Sequence, residues 1–153
     1  MGGSMLTDWR IPSVAVLACL GLLALVPVAG ASDGKPHAPE AIEEVAIVSA
    51  EEAIDLILAN PGMPIIDSRK KTEYVKGHIE GAVSLLDTEM TEQDLHNISP
   101  DRDAAILFYC NGVRCLRSSN AIRKAKGWGY TNLIWFRGGW KEWSDKRLPV
   151  VTD

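Results

Sequence analysis

The chain has few of the residues that usually hold metal ions or cofactors. Its 153 residues include three histidines, scattered at positions 37, 78 and 96, and three cysteines that form no Cys-x-x-Cys pair. Metal sites need closely spaced Cys and His ligands, and nucleotide cofactors need glycine-rich fingerprints. Because neither pattern occurs, we predict no metal site and no cofactor. No internal repeat is present either, which excludes a repeat architecture.

Basic residues are also scarce over most of the chain. The formal net charge is −4, and residues 32–109 carry sixteen acidic but only six basic side chains. The balance reverses in residues 110–153, which carry nine basic and three acidic side chains. An acidic domain is a poor fit for nucleic acid, so we predict no such partner. Two solvated helix faces of opposite charge would give the same pattern. The basic segment nevertheless begins at a cysteine, Cys110.

The longest stretch without a charge lies near the N-terminus. Residues 11–30 are apolar, and the small residues Ala29, Gly30 and Ala31 precede Ser32. This pattern is typical of a cleaved export signal, so we predict a signal peptide over residues 1–31 and a periplasmic or extracellular location. About twenty apolar residues can also span a bilayer, and retention of residues 11–30 would anchor the protein to a membrane. Residues 32–43 are rich in Pro, Gly and charge, which predicts a linker.

Strand and helix patterns alternate through the rest of the chain. Strands are predicted at 44–48, 63–69, 78–85, 104–109 and 132–136, and helices at 49–59, 70–77, 91–98, 118–126 and 138–146. Alternation of this kind predicts an α/β fold with a central parallel sheet and helices on both faces. Ligands of such folds bind beyond the carboxyl ends of the strands, where Asp67, Arg69 and Cys110 are expected.

Cys110 follows the most hydrophobic strand and precedes a glycine-containing loop. Asn111 and Gly112 permit tight curvature, and a helix is expected to begin near Ser118. A loop that enters a helix N-terminus turns several backbone N–H groups toward one point. We therefore expect a lowered pKa and a reactive thiolate at Cys110. The alternative is a packed, unreactive cysteine beside surface arginines.

Two segments carry a resemblance to a known family. The stretch IIDSRKKTEYVKGHIEGAVSL (65–85) resembles the rhodanese signature, with Asp-x-Arg at a strand end followed by Glu-Tyr-x-x-Gly-His-Ile-x-Gly-Ala. The second half adds Tyr-Cys at the end of an apolar strand, Arg-Ser at a helix start, and Gly-Gly-Trp near the C-terminus. The resemblance covers residues 45–150 in order.

The resemblance implies a single rhodanese-like domain over residues 44–150 with thiosulfate sulfurtransferase-like activity. Cys110 matches the catalytic cysteine, which takes a sulfane sulfur as a persulfide from a small anionic donor such as thiosulfate. A thiol or a protein would accept the sulfur, and a membrane would be a partner only if the N-terminal segment were retained. Asp67 and Arg69 match the first motif and would support the loop. The loop residues that match the anion-binding cradle are Asn111, Gly112, Val113, Arg114, Cys115, Leu116 and Arg117.

The loop departs from the family pattern in its length. The arginine of rhodaneses usually lies five positions after the cysteine, whereas Arg117 lies seven positions after Cys110, and the longer loop contains Cys115. If the two Cα atoms lie about 4.4–6.8 Å apart, Cys115 can resolve a Cys110 persulfide as a disulfide. A thiol–disulfide or persulfide redox protein is therefore one alternative function. A noncatalytic rhodanese-like binding module is another, and phosphatase or arsenate reductase chemistry is a third.

Overall fold

The structure is a computed structural model that describes residues 37–153. The predicted signal peptide or anchor and the first residues of the predicted linker lie outside the described residues. Across residues 37–153, every helix is too short or too polar to cross a membrane.

Five parallel strands form one sheet with the spatial order β1-β5-β4-β2-β3. The strands are β1 (Ala46–Ile47), β2 (Ile65–Asp67), β3 (Ala82–Ser84), β4 (Ile106–Tyr109) and β5 (Leu133–Phe136). The strand that reads as most hydrophobic, β4, lies at the centre of the sheet, and all four of its residues are buried. A strand that is covered on both faces needs such a continuous apolar run.

A helix follows each strand. The helices are α1 (Ala50–Ala59), α2 (Lys71–Tyr74), α3 (Glu92–Ile98), α4 (Arg117–Gly127) and α5 (Gly139–Asp145). The predicted capping box begins α1: the Glu52 N–H donates to Ser49 Oγ at 3.3 Å, and the Ser49 N–H donates to a Glu52 carboxylate oxygen at 2.7 Å. These two bonds satisfy backbone donors that have no partner within the helix.

Helices cover both faces of the sheet, as predicted, and β4 shows how the faces divide. Ile106 and Phe108 pack in a core cluster with residues of α3 and α4. Leu107 and Tyr109 pack in a second cluster with residues of α1, α2 and α5. Successive side chains of a strand point to opposite faces. The next residue, Cys110, therefore points to the face that α4 covers.

The three central strands end at the same level. Asp67 of β2 is the register partner of Tyr109 of β4, which in turn is the partner of Phe136 of β5. The residues that come directly after these strands therefore meet at one edge of the sheet. This edge holds Cys110 and the Asp67–Arg69 segment, as the predicted topology requires.

The described part of the predicted linker packs on the domain. Ala38 is only 2% exposed and belongs to the α4-side core cluster. Its N–H donates to the Val113 carbonyl oxygen at 2.9 Å. The Arg137 guanidinium donates from Nε to the Pro39 carbonyl oxygen at 2.8 Å. Residues 37–40 are therefore attached to the loop that follows Cys110.

Candidate active site

Cys110 lies beneath the loop that follows β4. Its residue surface is 1% exposed, and the hydroxyl of Ser118, in the first turn of α4, donates to its sulfur at 3.4 Å. The Trp135 indole N–H donates to the same hydroxyl oxygen at 2.9 Å, which fixes the hydroxyl in this position. The Cys110 sulfur is thus held between the central strand and the start of α4.

The loop from residue 111 to residue 116 curls back over Cys110 and rests on the start of α5. The Trp140 N–H donates to the Cys110 carbonyl oxygen at 2.8 Å, and the Lys141 N–H donates to the Asn111 carbonyl oxygen at 3.1 Å. These amides belong to the first turn of α5, where no partner within the helix is available. Gly139 permits this approach, because its φ is +56° and a Cβ atom there would collide with the Cys110 carbonyl oxygen.

The curled loop brings the two thiols together, and neither is oxidised. The Cys110 thiol donates to the Cys115 carbonyl oxygen at 3.4 Å, and the two side chains are close enough for each to shift the pKa of the other. Burial raises the pKa of Cys110, and the hydrogen bond with Cys115 raises it further. The same hydrogen bond lowers the pKa of Cys115 to about 6, assisted by the backbone amides of Arg117 and Asn111 and by the Arg117 charge. The expected low pKa at Cys110 is therefore wrong, because burial outweighs the hydrogen bonds from Ser118 there, and a negative charge is favoured on Cys115 instead.

An open pocket of about 590 Å³ lies over the loop. It is lined by Asn111, Gly112, Val113, Arg114, Cys115, Leu116, Arg117 and Lys141. The structure thus brings all the predicted loop residues into one pocket and adds Lys141, which the sequence analysis missed. Of the two described thiols, Cys115 lines the pocket and Cys110 does not. Three cationic side chains at one pocket attract a small anion.

Glu73 of α2 holds the two ends of the loop. Its carboxylate accepts from the Asn111 side-chain amide at 2.8 Å and from the Arg117 guanidinium at 3.4 Å. Burial raises the pKa of Glu73, but the Asn111 hydrogen bond and the Arg117 charge outweigh burial, so the pKa is lowered. Glu73 is the Glu of the Glu-Tyr motif, but the sequence does not indicate its contacts with the loop.

Asp67 and Arg69 lie at the same sheet edge but below the pocket. They form a buried ion pair of 2.6 Å, with Asp67 fully buried and Arg69 1% exposed. The Tyr109 hydroxyl donates to Asp67 at 2.6 Å, and the Arg69 guanidinium donates to the Gly77 carbonyl oxygen at 2.8 Å. The guanidinium also lies 4.2 Å from the centre of the Trp140 ring. These contacts link β2, β4 and α5, which suits the predicted supporting role rather than contact with a substrate.

Comparison with known proteins agrees with the fold and the sequence motifs. Residues 49–146 match the rhodanese-like domain family. The chain is 26% identical over 109 residues to the uncharacterized protein YibN of Escherichia coli K12, covering 71% of this chain and 73% of that protein. It is 33% identical over 129 residues to the HTH-type transcriptional regulator Rv0324 of Mycobacterium tuberculosis, covering 84% of this chain and 51% of that protein.

Solved structures share the fold at lower identity. The BH2092 protein from Bacillus halodurans has a TM-score of 0.61 at 23% identity, covering 70% of this chain and 77% of that one. The polysulfide-sulfur transferase from Wolinella succinogenes has a TM-score of 0.58 at 19% identity, covering 72% and 80%. The thiosulfate sulfurtransferase from Pseudomonas aeruginosa has a TM-score of 0.57 at 22% identity, covering 71% and 20%. Identities this low establish a shared fold and nothing finer.

Proposed function

The chain belongs to the rhodanese-like domain family, and we propose that it is a sulfurtransferase that carries sulfane sulfur as a persulfide on Cys110. The observation that carries this proposal is the position of Cys110, directly after the central strand and beneath a loop whose pocket is lined by cations. Two neighbours that share the fold are named as sulfur transferases, which supports the same chemistry.

The proposed reaction moves one sulfur atom without net oxidation. A site thiolate attacks the sulfane sulfur of an anionic donor such as thiosulfate, a new S–S bond forms, the S–S bond of the donor breaks, and sulfite leaves with the electron pair. An acceptor thiolate then attacks the outer sulfur of the Cys110 persulfide and releases the Cys110 thiolate. Arg114, Arg117 and Lys141 line the pocket that the donor would occupy and would stabilise both the donor and the departing anion.

Intact-protein mass spectrometry tests the proposal. The reduced wild type, incubated with thiosulfate, is expected to gain the mass of one sulfur atom, and a small thiol acceptor should remove it. Catalytic turnover to the acceptor should be lost in Cys110→Ser. The variant Glu92→Gln, changed at an exposed ion pair with Arg102 whose residues do not line the pocket, is the control and should turn over like the wild type. A wild type that gains no sulfur from thiosulfate, polysulfide or a low-molecular-weight persulfide would contradict the proposed function.

A thiol–disulfide redox function is the second candidate, because the two described thiols lie in one loop and the Cys110 thiol donates to the Cys115 carbonyl oxygen at 3.4 Å. It predicts that a mild oxidant produces a Cys110–Cys115 disulfide that a dithiol protein reduces. Quantifying free thiols before and after oxidation, together with sulfur loading, separates the two functions. A redox protein would cycle between dithiol and disulfide yet fail to turn over thiosulfate.

We also propose that the domain acts outside the cytoplasm. The support is the apolar run at 11–30 and the small residues before Ser32. Expression of the full chain followed by cell fractionation and N-terminal sequencing tests this proposal. A mature N-terminus at Ser32 in an exported fraction is expected. A full-length product in the membrane would indicate an anchor, and a full-length cytoplasmic product would contradict export.

A further inference from the structure

We propose that Cys115 is the thiol that meets the sulfur donor, and that Cys110 receives the sulfur from Cys115 rather than from the donor directly. This inference rests on the proposed sulfurtransferase function, and it adds a second catalytic cysteine to the same site. Three features of the loop support this inference: the access of a ligand to each thiol, the surroundings of the Cys115 sulfur, and the proximity of the two cysteines.

Access differs sharply between the two thiols. Cys115 is partly exposed and lines the pocket, together with Arg114, Arg117 and Lys141. Cys110 is 1% exposed and lies beneath the loop, in contact with the Ser118 hydroxyl. An anion that enters the pocket therefore reaches the Cys115 sulfur without movement of the loop. Direct attack by Cys110 would require the loop to open.

The surroundings of the Cys115 sulfur are those of an anion. The backbone amides of Arg117 and Asn111 and the Arg117 guanidinium all favour a negative charge on this sulfur. The Cys110 thiol adds a fourth favourable group through its hydrogen bond. Cys115 thus lies within the loop that matches the anion-binding cradle of the family. The nucleophilic form of a cysteine is the thiolate.

The proximity of the two cysteines, seen in the 3.4 Å hydrogen bond from the Cys110 thiol to the Cys115 carbonyl oxygen, provides the second step. Attack of the Cys115 thiolate on thiosulfate forms a Cys115 persulfide and releases sulfite. The Cys110 thiol then gives its proton to the outer sulfur, and the resulting Cys110 thiolate attacks that outer sulfur. The bond between the outer sulfur and Cys115 breaks, so Cys110 holds the persulfide and Cys115 returns as a thiolate. No oxidant or reductant is consumed. A thiol with a low pKa is a good leaving group, which favours this direction of transfer.

The pKa difference sets the size of the expected effect. At pH 7, a thiol with a pKa of about 6 is about 90% ionised, whereas one at the ordinary value of 9.0 is about 1% ionised. This gives a roughly 90-fold advantage in thiolate population. The lower intrinsic nucleophilicity of the more acidic thiolate reduces the advantage to about fivefold. Removal of Cys115 should therefore slow sulfur loading at pH 7 by about fivefold or more.

The test measures sulfur loading from thiosulfate in the wild type, Cys110→Ser, Cys115→Ser and the double variant, with peptide mapping to locate the sulfur. Serine retains a hydroxyl donor at position 110, so the Cys115 thiolate keeps that hydrogen bond. Cys110→Ser should gain one sulfur that stays on Cys115, and the double variant should gain none. Cys115→Ser should load slowly, with a rate that still rises above pH 8. The wild-type rate should reach half its maximum near pH 6.

A labelling experiment on the wild type does not depend on how the variants fold. A limiting amount of an alkylating reagent at pH 6.5 should modify Cys115 before Cys110. Modification of Cys110 first would overturn the inference. The inference would also be overturned if Cys110→Ser took up no sulfur while Cys115→Ser loaded as fast as the wild type. The proposed sulfurtransferase function would still stand after that result. Release of sulfide with a Cys110–Cys115 disulfide would overturn the transfer step, because Cys110 would then have attacked the inner sulfur.

Discussion

Replacement of Asp67 by Asn should destabilise the domain strongly without touching the pocket. Asp67 is fully buried and accepts hydrogen bonds from the Arg69 backbone N–H, from Arg69 Nε and Nη2, and from the Tyr109 hydroxyl. A neutral amide in its place would leave the Arg69 guanidinium, itself 1% exposed, without a buried counter-charge. Breaking a buried ion pair costs about 3–5 kcal/mol, and a typical domain has only about 5–15 kcal/mol of stability. We therefore expect the free energy of unfolding to fall by about 3–5 kcal/mol.

Urea unfolding followed by tryptophan fluorescence measures this change, with the slope of the transition expected to stay constant. Asp145→Asn is the matched control, because its 2.6 Å pair with Lys141 is exposed on both sides and is expected to contribute less than about 1 kcal/mol. The double change Asp67→Leu with Arg69→Met should recover part of the loss, since it leaves no unpaired buried charge. A loss below about 1 kcal/mol in Asp67→Asn would refute the reasoning that this pair braces the sheet edge.

Three further predictions concern the loop and its supports. Gly139→Ala should cost about 2 kcal/mol or more and slow sulfur loading, because its positive φ disfavours a side chain and the new Cβ would displace the Cys110 carbonyl; Gly127→Ala, in open space on α4, should be neutral or stabilising in the same urea assay. Glu73→Gln should lower the free energy of unfolding at pH values above the ordinary Glu pKa of 4.5. This difference should disappear as the pH falls through the depressed pKa of folded Glu73, so the unfolding curves of the two proteins should converge in acid. Ser68→Ala should be neutral or stabilising, because the buried Ser68 hydroxyl has no hydrogen-bond partner within the described residues; a clear loss of stability would contradict this.

Local signals in the sequence were sufficient to predict the order of strands and helices and to bring the candidate site residues to one end of the strands. The capping box at Ser49 predicts a helix start, and the apolar run before Cys110 predicts a buried strand. Each signal depends only on its own segment, and both elements form where they were predicted. The parallel sheet then follows from alternation, and it places the ends of β2 and β4 at one edge. The sequence alone therefore predicts that Asp67 and Cys110 lie close together.

The ionisation of the two thiols could not be predicted from the sequence, because it depends on burial. Cys110 and Cys115 lie in the same short loop, and only the folded chain shows that one is covered and the other faces the pocket. The role of Glu73 could not be predicted either, because its contacts with Asn111 and Arg117 join positions more than thirty residues apart in the sequence. Ala38 was assigned to a linker by its polar neighbours, yet it packs in the core through contacts that composition does not reveal.

The strands β2, β4 and β5 end at residues that are paired in register, and this alignment determines where the fold tolerates insertions. Asp67, Tyr109 and Phe136 are aligned in register, so one extra residue within β4 would turn Cys110 to the opposite face, away from α4. Extra residues between Cys110 and Arg117 leave the register unchanged, and lengthening that span from five to seven positions costs only about 0.3 kcal/mol in loop entropy. The length can therefore change at little cost in the segment that places Cys115 at the pocket and covers Cys110.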